Sequence, residues 1–170
     1  MKPDLYWIPG PWPGRLAIMS RPRGGDWLQD EAKGWRQDGI DVVVSLLEPD
    51  EAAQLDLADE AEAAVASGIR FMSFPIPDRG VPASASTAAS LIAAISDGLE
   101  RGENVAVHCR QGLGRSGLIA AGVLASAGID PERAIEAVSS ARGQTVPETA
   151  EQRSWVQRLA SRVAEVTQPR

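Results

Sequence analysis

One cysteine, Cys109, and one histidine, His108, serve the whole of a 170-residue chain. A single thiol cannot close an internal disulfide, so the fold needs no oxidising compartment and a cytoplasmic setting is expected. A lone histidine offers no cluster for a metal, and neither a metal nor an organic cofactor is expected. Basic residues are also scarce: Lys and Arg number 17 against 23 Asp and Glu, a net charge of −6. That balance excludes a broad nucleic-acid or anionic-membrane surface, which works by accumulated Lys and Arg, so any attraction for an anion must be local. No apolar run approaches the ~20 residues of a membrane span. The N-terminus, broken by Pro9, Pro11 and Pro13, has no signal-peptide core. An internal repeat, a low-complexity tract and a dividing linker are all missing, so one domain over 1–170 is expected.

What is present reads as alternating strands and helices. Arg15 to Ser20, Asp41 to Leu47, Arg70 to Phe74 and Asn104 to His108 are short β-branched, aliphatic or aromatic runs, read as mostly buried strands. Asp26 is the candidate cap of a helix carrying Trp27, Leu28, Ala32 and Trp35, and Pro49-Asp50-Glu51 has the proline and acids of another helix start. Ser86 to Arg101 puts Leu91, Ile92, Ile95 and Leu99 on one face, while Ser116 to Ala127 is apolar nearly all round and belongs inside the core. Pro131 opens a further helix, and Trp155, Val156, Leu159, Val163 and Val166 stripe the last one. The pattern predicts an α/β fold: a central, mostly parallel sheet of about four or five strands flanked by helices, with a helical C-terminal part.

The scarce residues meet in His108-Cys109-Arg110-Gln111-Gly112-Leu113-Gly114-Arg115-Ser116-Gly117, between an apolar strand and an apolar helix. By letter this contains the dinucleotide fingerprint G-x-G-x-x-G, but the second strand that such a fold requires is replaced by a helix starting at Asp130-Pro131. Sulfur-transfer enzymes of the rhodanese type also place a cysteine at the base of such a loop. Theirs is one residue shorter than the loop here, which has five residues between Cys109 and Arg115.

His-Cys-x-x-Gly-x-x-Arg-Ser resembles the signature of the protein tyrosine phosphatase superfamily. Ser73-Phe74-Pro75-Ile76-Pro77-Asp78 resembles its general-acid loop, and the similarity continues at Glu148-Thr149-Ala150-Glu151-Gln152. The compact length is similar to the dual-specificity group, particularly phosphatases like cyclin-dependent kinase inhibitor 3. The resemblance implies a dual-specificity-phosphatase-like fold and hydrolysis of phosphoprotein monoesters, phosphotyrosine first and phosphoserine or phosphothreonine in addition. It implies a phosphorylated protein or peptide as partner, and a phosphate or sulfate ion as a ligand of loop 109–115. Phosphoinositide or other small-molecule phosphatases are the alternative; they often carry lysines where this loop has Arg110 and Leu113. A phosphate-binding module without catalysis and a sulfurtransferase are weaker readings.

Displacing an alcohol from a phosphate ester needs an in-line nucleophile, charge stabilisation on three equatorial oxygens and a proton for the leaving oxygen. Cys109 is useful only as thiolate, a form favoured by a helix N-terminus and a cation. Backbone N–H groups of Arg110, Gln111, Gly112, Leu113, Gly114 and Arg115 form the expected phosphate nest, with Gly112 and Gly114 as candidates for positive φ. Arg115 opposes the helix dipole and calls for an anion, and its guanidinium can grip two phosphoryl oxygens. Ser116 can donate to the departing sulfur. By the resemblance, Asp78 is the general acid and Gln152 positions the hydrolytic water. Asp78 also fits an ordinary turn before Arg79-Gly80, and Thr149-x-x-Gln152 fits a capping box. Gly80 is a candidate hinge. His108 is expected to be a scaffold for the loop. Arg21 and Arg23 either line the pocket or are solvated, and the five tryptophans are read as packing.

Overall fold

The computed structural model describes the backbone of residues 4–167 and the side chains of residues 4–159. Five strands form one sheet in the order β1-β2-β5-β3-β4. They are β1 (Leu5–Ile8), β2 (Leu16–Met19), β3 (Val42–Ser45), β4 (Arg70–Ser73) and β5 (Val105–His108). All neighbours run parallel except β1, which pairs antiparallel with β2 at the edge. The four expected strands are present, trimmed by a residue or more at their ends. β1 had no sequence signal beyond its half-buried Tyr6 and Trp7, because prolines crowd its flanks. β4 departs from the buried expectation: it is the other edge, and both Arg70 and Ser73 are exposed.

Side chains alternate across the central strands and split the core in two. Leu16, Ile18, Val42, Val44, Val105 and Val107 face one layer, while Ala17, Met19, Val43 and Ala106 face the other. The second layer is covered by α1 (Leu28–Gln37) and α3 (Glu60–Ala66), through Leu28, Ala32, Trp35, Ala63 and Ala64. Between them lies the short α2 (Pro49–Gln54). The first layer is covered by α4 (Ala85–Glu100), α5 (Gly114–Ser126), α6 (Pro131–Arg142) and α7 (Ala150–Thr167). Every residue of α5 from Gly114 to Ala125 is buried, the polar Arg115 and Ser116 included, because α4, α6 and α7 pack around a helix that is apolar nearly all round. Val163 and Val166 lie outside the described side chains.

Two local expectations fail. Asp26 caps nothing: it sits inside a 3₁₀ turn, Gly25–Trp27, that precedes α1. Trp27 is 53% exposed and stacks under the Arg23 guanidinium instead of packing inward. Helix α3 had no distinct signal in its run of alanines and glutamates.

The register positions the site. Met19, Ser45 and His108 are level at the C-terminal ends of β2, β3 and β5, so the loops that follow these parallel strands gather at one end of the sheet. The opposite end is pinned by Asn104, whose side chain accepts from the Arg15 N–H at 2.9 Å and donates to the Gly39 carbonyl at 2.9 Å. Asn104→Ala removes both bonds and should cost about 1–3 kcal/mol in urea unfolding, with an unchanged m-value.

Candidate active site

Loop 109–115 leaves the central strand β5 and turns directly into buried α5. Gly112 makes the turn at φ +71°, and a Cβ there would stand 2.8 Å from the Met19 carbonyl oxygen. Gly114 is not in the left-handed region. It is small for a different reason: its missing Cβ leaves room for the Gln152 amide, whose atoms would lie 3.1 Å from one.

Cys109 is buried, its Sγ 3.3 Å from the Ser116 hydroxyl. Burial opposes ionisation of the thiol. Hydrogen bonds from the Ser116 hydroxyl and from the N–H groups of Ser116 and Leu113, with the charge of Arg115, outweigh it and bring the pKa below its ordinary value.

Arg115 is 2% exposed. Its Nη1 donates to Glu51 Oε1 at 2.6 Å and its Nη2 to Oε2 at 3.0 Å, a bidentate pair, and Nη1 also donates to the Ile76 carbonyl at 3.0 Å. Asp78 Oδ1 stands 3.4 Å from Nη2. The anion that Arg115 demands is therefore largely supplied by the protein. For Glu51, the cost of burial is overcome by the arginine and by the Glu48 N–H, which lower its pKa. In the sequence Glu51 reads only as a helix-start acid. It is that too, closing a capping box with Glu48, and the double use was invisible without the fold.

His108, fully buried at the end of β5, lies with Nε2 2.5 Å from Glu60 Oε1 and Nδ1 3.2 Å from the Cys109 carbonyl. Burial alone would lower its pKa, but the Glu60 carboxylate and the Cys109 carbonyl and thiol raise it. In the imidazolium form both ring nitrogens donate, one to Glu60 and one to the Cys109 carbonyl of the loop. Glu60 is 48 residues away in sequence, and no motif announces it.

Asp78 occupies the exposed tip of a tight turn closed by the Gly80 N–H on the Pro77 carbonyl at 2.8 Å. The left-handed residue of that turn is Arg79, at φ +60°, and not Gly80. Gly80 is confined for space, with Pro77 atoms 3.0 and 3.1 Å from where its Cβ would be. The buried Gln152 forms the capping box with Thr149 that its spacing predicts. Its Oε1 accepts from the N–H groups of Glu148 and Thr149 at 3.1 and 3.2 Å, and its Nε2 donates to the Gly80 carbonyl at 3.0 Å.

These elements enclose a cavity of about 150 Å³ lined by Asp78, Arg79, Cys109, Arg110, Gln111, Gly114, Arg115 and Glu148. Arg79 and Glu148 pair at 3.5 Å beside it. Gly112, Leu113, Ser116 and Gln152 are not among its lining. Gly112 gives its carbonyl to Arg142 behind the loop, and Leu113 lines a separate groove. Ser116 lies buried beside the thiol. Of the two flanking arginines, Arg23 pairs with the buried Glu31 and Arg21 reaches the outer groove.

The fold recurs in solved phosphatases. Kinase-associated phosphatase with its catalytic cysteine changed to serine superposes with a TM-score of 0.86 at 20% identity, covering 96% of this chain and 97% of that one. Tk-PTP in its active form gives 0.77 at 28% identity over 95% and 99% of the two chains. PTPMT1 in complex with PI(5)P gives 0.75 at 17% identity over 90% and 94%. No curated protein matches the sequence. The architecture is that of a small phosphatase of the dual-specificity class. More narrowly, the chain belongs to the DSP-PTPase phosphatase family of polymorphic toxin systems, Tc-R-P, whose model matches residues 17–129.

Two buried acids give testable consequences. Glu60→Gln strands the His108 imidazolium and should cost about 3–5 kcal/mol of stability. Because the folded pKa of His108 is raised, the stabilisation from the pair is complete below pH 6.5, the unfolded value, and is lost as pH rises through the folded one. Urea unfolding across that range should show this slope in the parent and not in the variant. Glu51→Gln releases one side of Arg115 and should lower kcat/KM on an aryl phosphate by about 10- to 100-fold, a positional effect. Melting temperature measured alongside separates it from unfolding.

Proposed function

We propose that residues 1–170 act as one domain that hydrolyses phosphoprotein monoesters through a phosphocysteine intermediate, in the cytoplasm and with groups supplied by the chain itself. Phosphotyrosine is the leading substrate, with phosphoserine and phosphothreonine also accepted. One observation carries the reading: a thiol of lowered pKa, the buried Arg115 and the Asp78 carboxylate share a single small cavity. No aromatic side chain lines that cavity among the described residues, which supports tolerance of both aryl and alkyl phosphoresidues.

In this mechanism the Cys109 thiolate attacks phosphorus in line with the leaving oxygen. Arg115 and the N–H groups of loop 109–115 hold the three equatorial oxygens, where charge is greatest in the transition state. Asp78 gives its proton to the departing alcohol oxygen. It then accepts a proton from the water that attacks the phosphocysteine, and Ser116 donates to the sulfur as it leaves. Gln152 serves as a tether in this scheme, since its carbonyl oxygen and one amide N–H are already committed to Glu148, Thr149 and Gly80.

Hydrolysis of a chromogenic aryl phosphate should persist in chelator and vanish in Cys109→Ser; an inactive parent protein would overturn the proposal. Asp78→Asn should lower kcat by about 10²- to 10⁴-fold while phosphopeptide affinity holds. A panel of phosphotyrosine, phosphoserine and phosphothreonine peptides and phosphoinositides assigns the substrate, and faster turnover of the phosphoinositides would overturn the protein-substrate reading.

A further inference from the structure

The turn that carries Asp78 has a secure base and an exposed tip. At the base, the Ile76 N–H donates to the Leu46 carbonyl at 3.0 Å, and the Ile76 side chain is buried in the core. At the tip, Arg79 holds φ +60°, uncommon for a residue with a Cβ, and one backbone bond, from the Gly80 N–H to the Pro77 carbonyl, closes the turn. Three polar contacts reach the tip from outside among the described residues. Arg115 Nη2 stands 3.4 Å from Asp78, the Gln152 amide donates to the Gly80 carbonyl, and Arg79 Nη1 lies 3.5 Å from Glu148 Oε2.

The first of these contacts weakens when it is needed. Proton donation requires Asp78 in its neutral form, which has no charge to offer Arg115, and a bound phosphoryl group claims the Arg115 N–H groups for itself. The tip is then left to the segment that leads into α7, through Gln152 and Glu148. Glu148 is well placed to hold it. Its own N–H is fixed on Gln152 Oε1 at 3.1 Å, and its carboxyl carbon would lie 3.4 Å from a Cβ on Gly114, so it rests against the first residue of α5. The Glu148 side chain is 26% exposed and that of Arg79 68%, so the carboxylate is the anchored partner and the guanidinium the one that reaches. Both line the catalytic cavity. A carboxylate beside a site for a phosphate dianion is a liability unless a cation is committed to it, and Arg79 is the cation with which it pairs.

We infer that Glu148 is a positioning residue for the acid step: through Arg79 it keeps the Asp78 turn docked while Arg115 is occupied by substrate. The inference rests on the catalytic reading above and adds to it a residue that touches no reacting atom. An exposed ion pair is a weak hold, so its loss is read by the kind of substrate affected more than by size.

The test compares phenyl phosphate, whose leaving oxygen needs a proton, with 2,4-dinitrophenyl phosphate, whose leaving oxygen departs as a stable anion. Glu148→Gln should lower kcat/KM about fivefold on the first, the upper range for an exposed pair, and less than about twofold on the second. Arg79→Gln should match it, and the double variant should lose no more than either single change, because the two remove one interaction. Equal losses on both substrates, a gain on both from relieved repulsion of the phosphate, or additive losses in the double variant would each overturn the role. A second measurement needs no turnover. In Asp78→Asn protein, where the charge facing Arg115 is absent, adding Glu148→Gln should speed hydrogen exchange of the Gly80 N–H about fivefold. Unchanged exchange would overturn the clasp, whereas faster exchange with an inactive parent protein would count against the catalytic reading alone.

Discussion

Arg115 carries its charge where charge is least welcome: out of water, in the first turn of a helix whose dipole repels it. The site and its surroundings are arranged to make that position tenable. Glu51 grips the guanidinium from α2, the Ile76 carbonyl receives it from the segment after β4, and Asp78 approaches from the turn beyond. Two segments far apart in sequence, one bearing Glu51 and the other Ile76 and Asp78, are thereby drawn to one cation. A phosphoryl group arriving beside it meets a guanidinium already desolvated and aimed, and little reorganisation is left to the moment of reaction.

A second buried pair works one step further back. The His108 ring lies beneath the loop, tied to Glu60 at the start of α3 and to the Cys109 carbonyl. Through it the helix layer on one face of the sheet is connected to the nucleophile, while α5 carries the arginine and the serine on the other face. The thiol thus sits where both halves of the core end. Its lowered pKa is the outcome of polar contacts from Ser116, Leu113 and Arg115 winning against burial.

Much of this was legible from residue types and spacing, and the limits are physical. Three of the four parallel strands, β2, β3 and β5, announced themselves because they are buried on both faces and read as nearly continuous apolar runs. The edge strand β1, with one neighbour and proline-rich flanks, did not. Cys109, Arg115 and Ser116 come together in space because one local motif imposes their chemistry at short range, and Asp78 joins them from a separate loop with a motif of its own. Glu51, Glu60 and Arg142 act through partners 30 to 64 residues distant, and a glutamate at a helix start looks the same whether or not an arginine will find it. The expectation that both loop glycines serve left-handed turns failed at Gly114, since sequence shows that a residue is small but not whether space or torsion demands it.

That last distinction links two positions that a reader of the sequence would treat separately. Gly114 opens the buried helix and Gln152 lies in the first turn of the final one, and the Gln152 amide packs into the space that the missing Cβ of Gly114 leaves. A methyl group at 114 would push the amide away from Gly80, and the turn bearing Asp78 would lose its anchor to α7 without any change in its own residues. In descendants of this chain the two sites should therefore drift as a couple: a larger residue at one is tolerable only with a shorter one at the other.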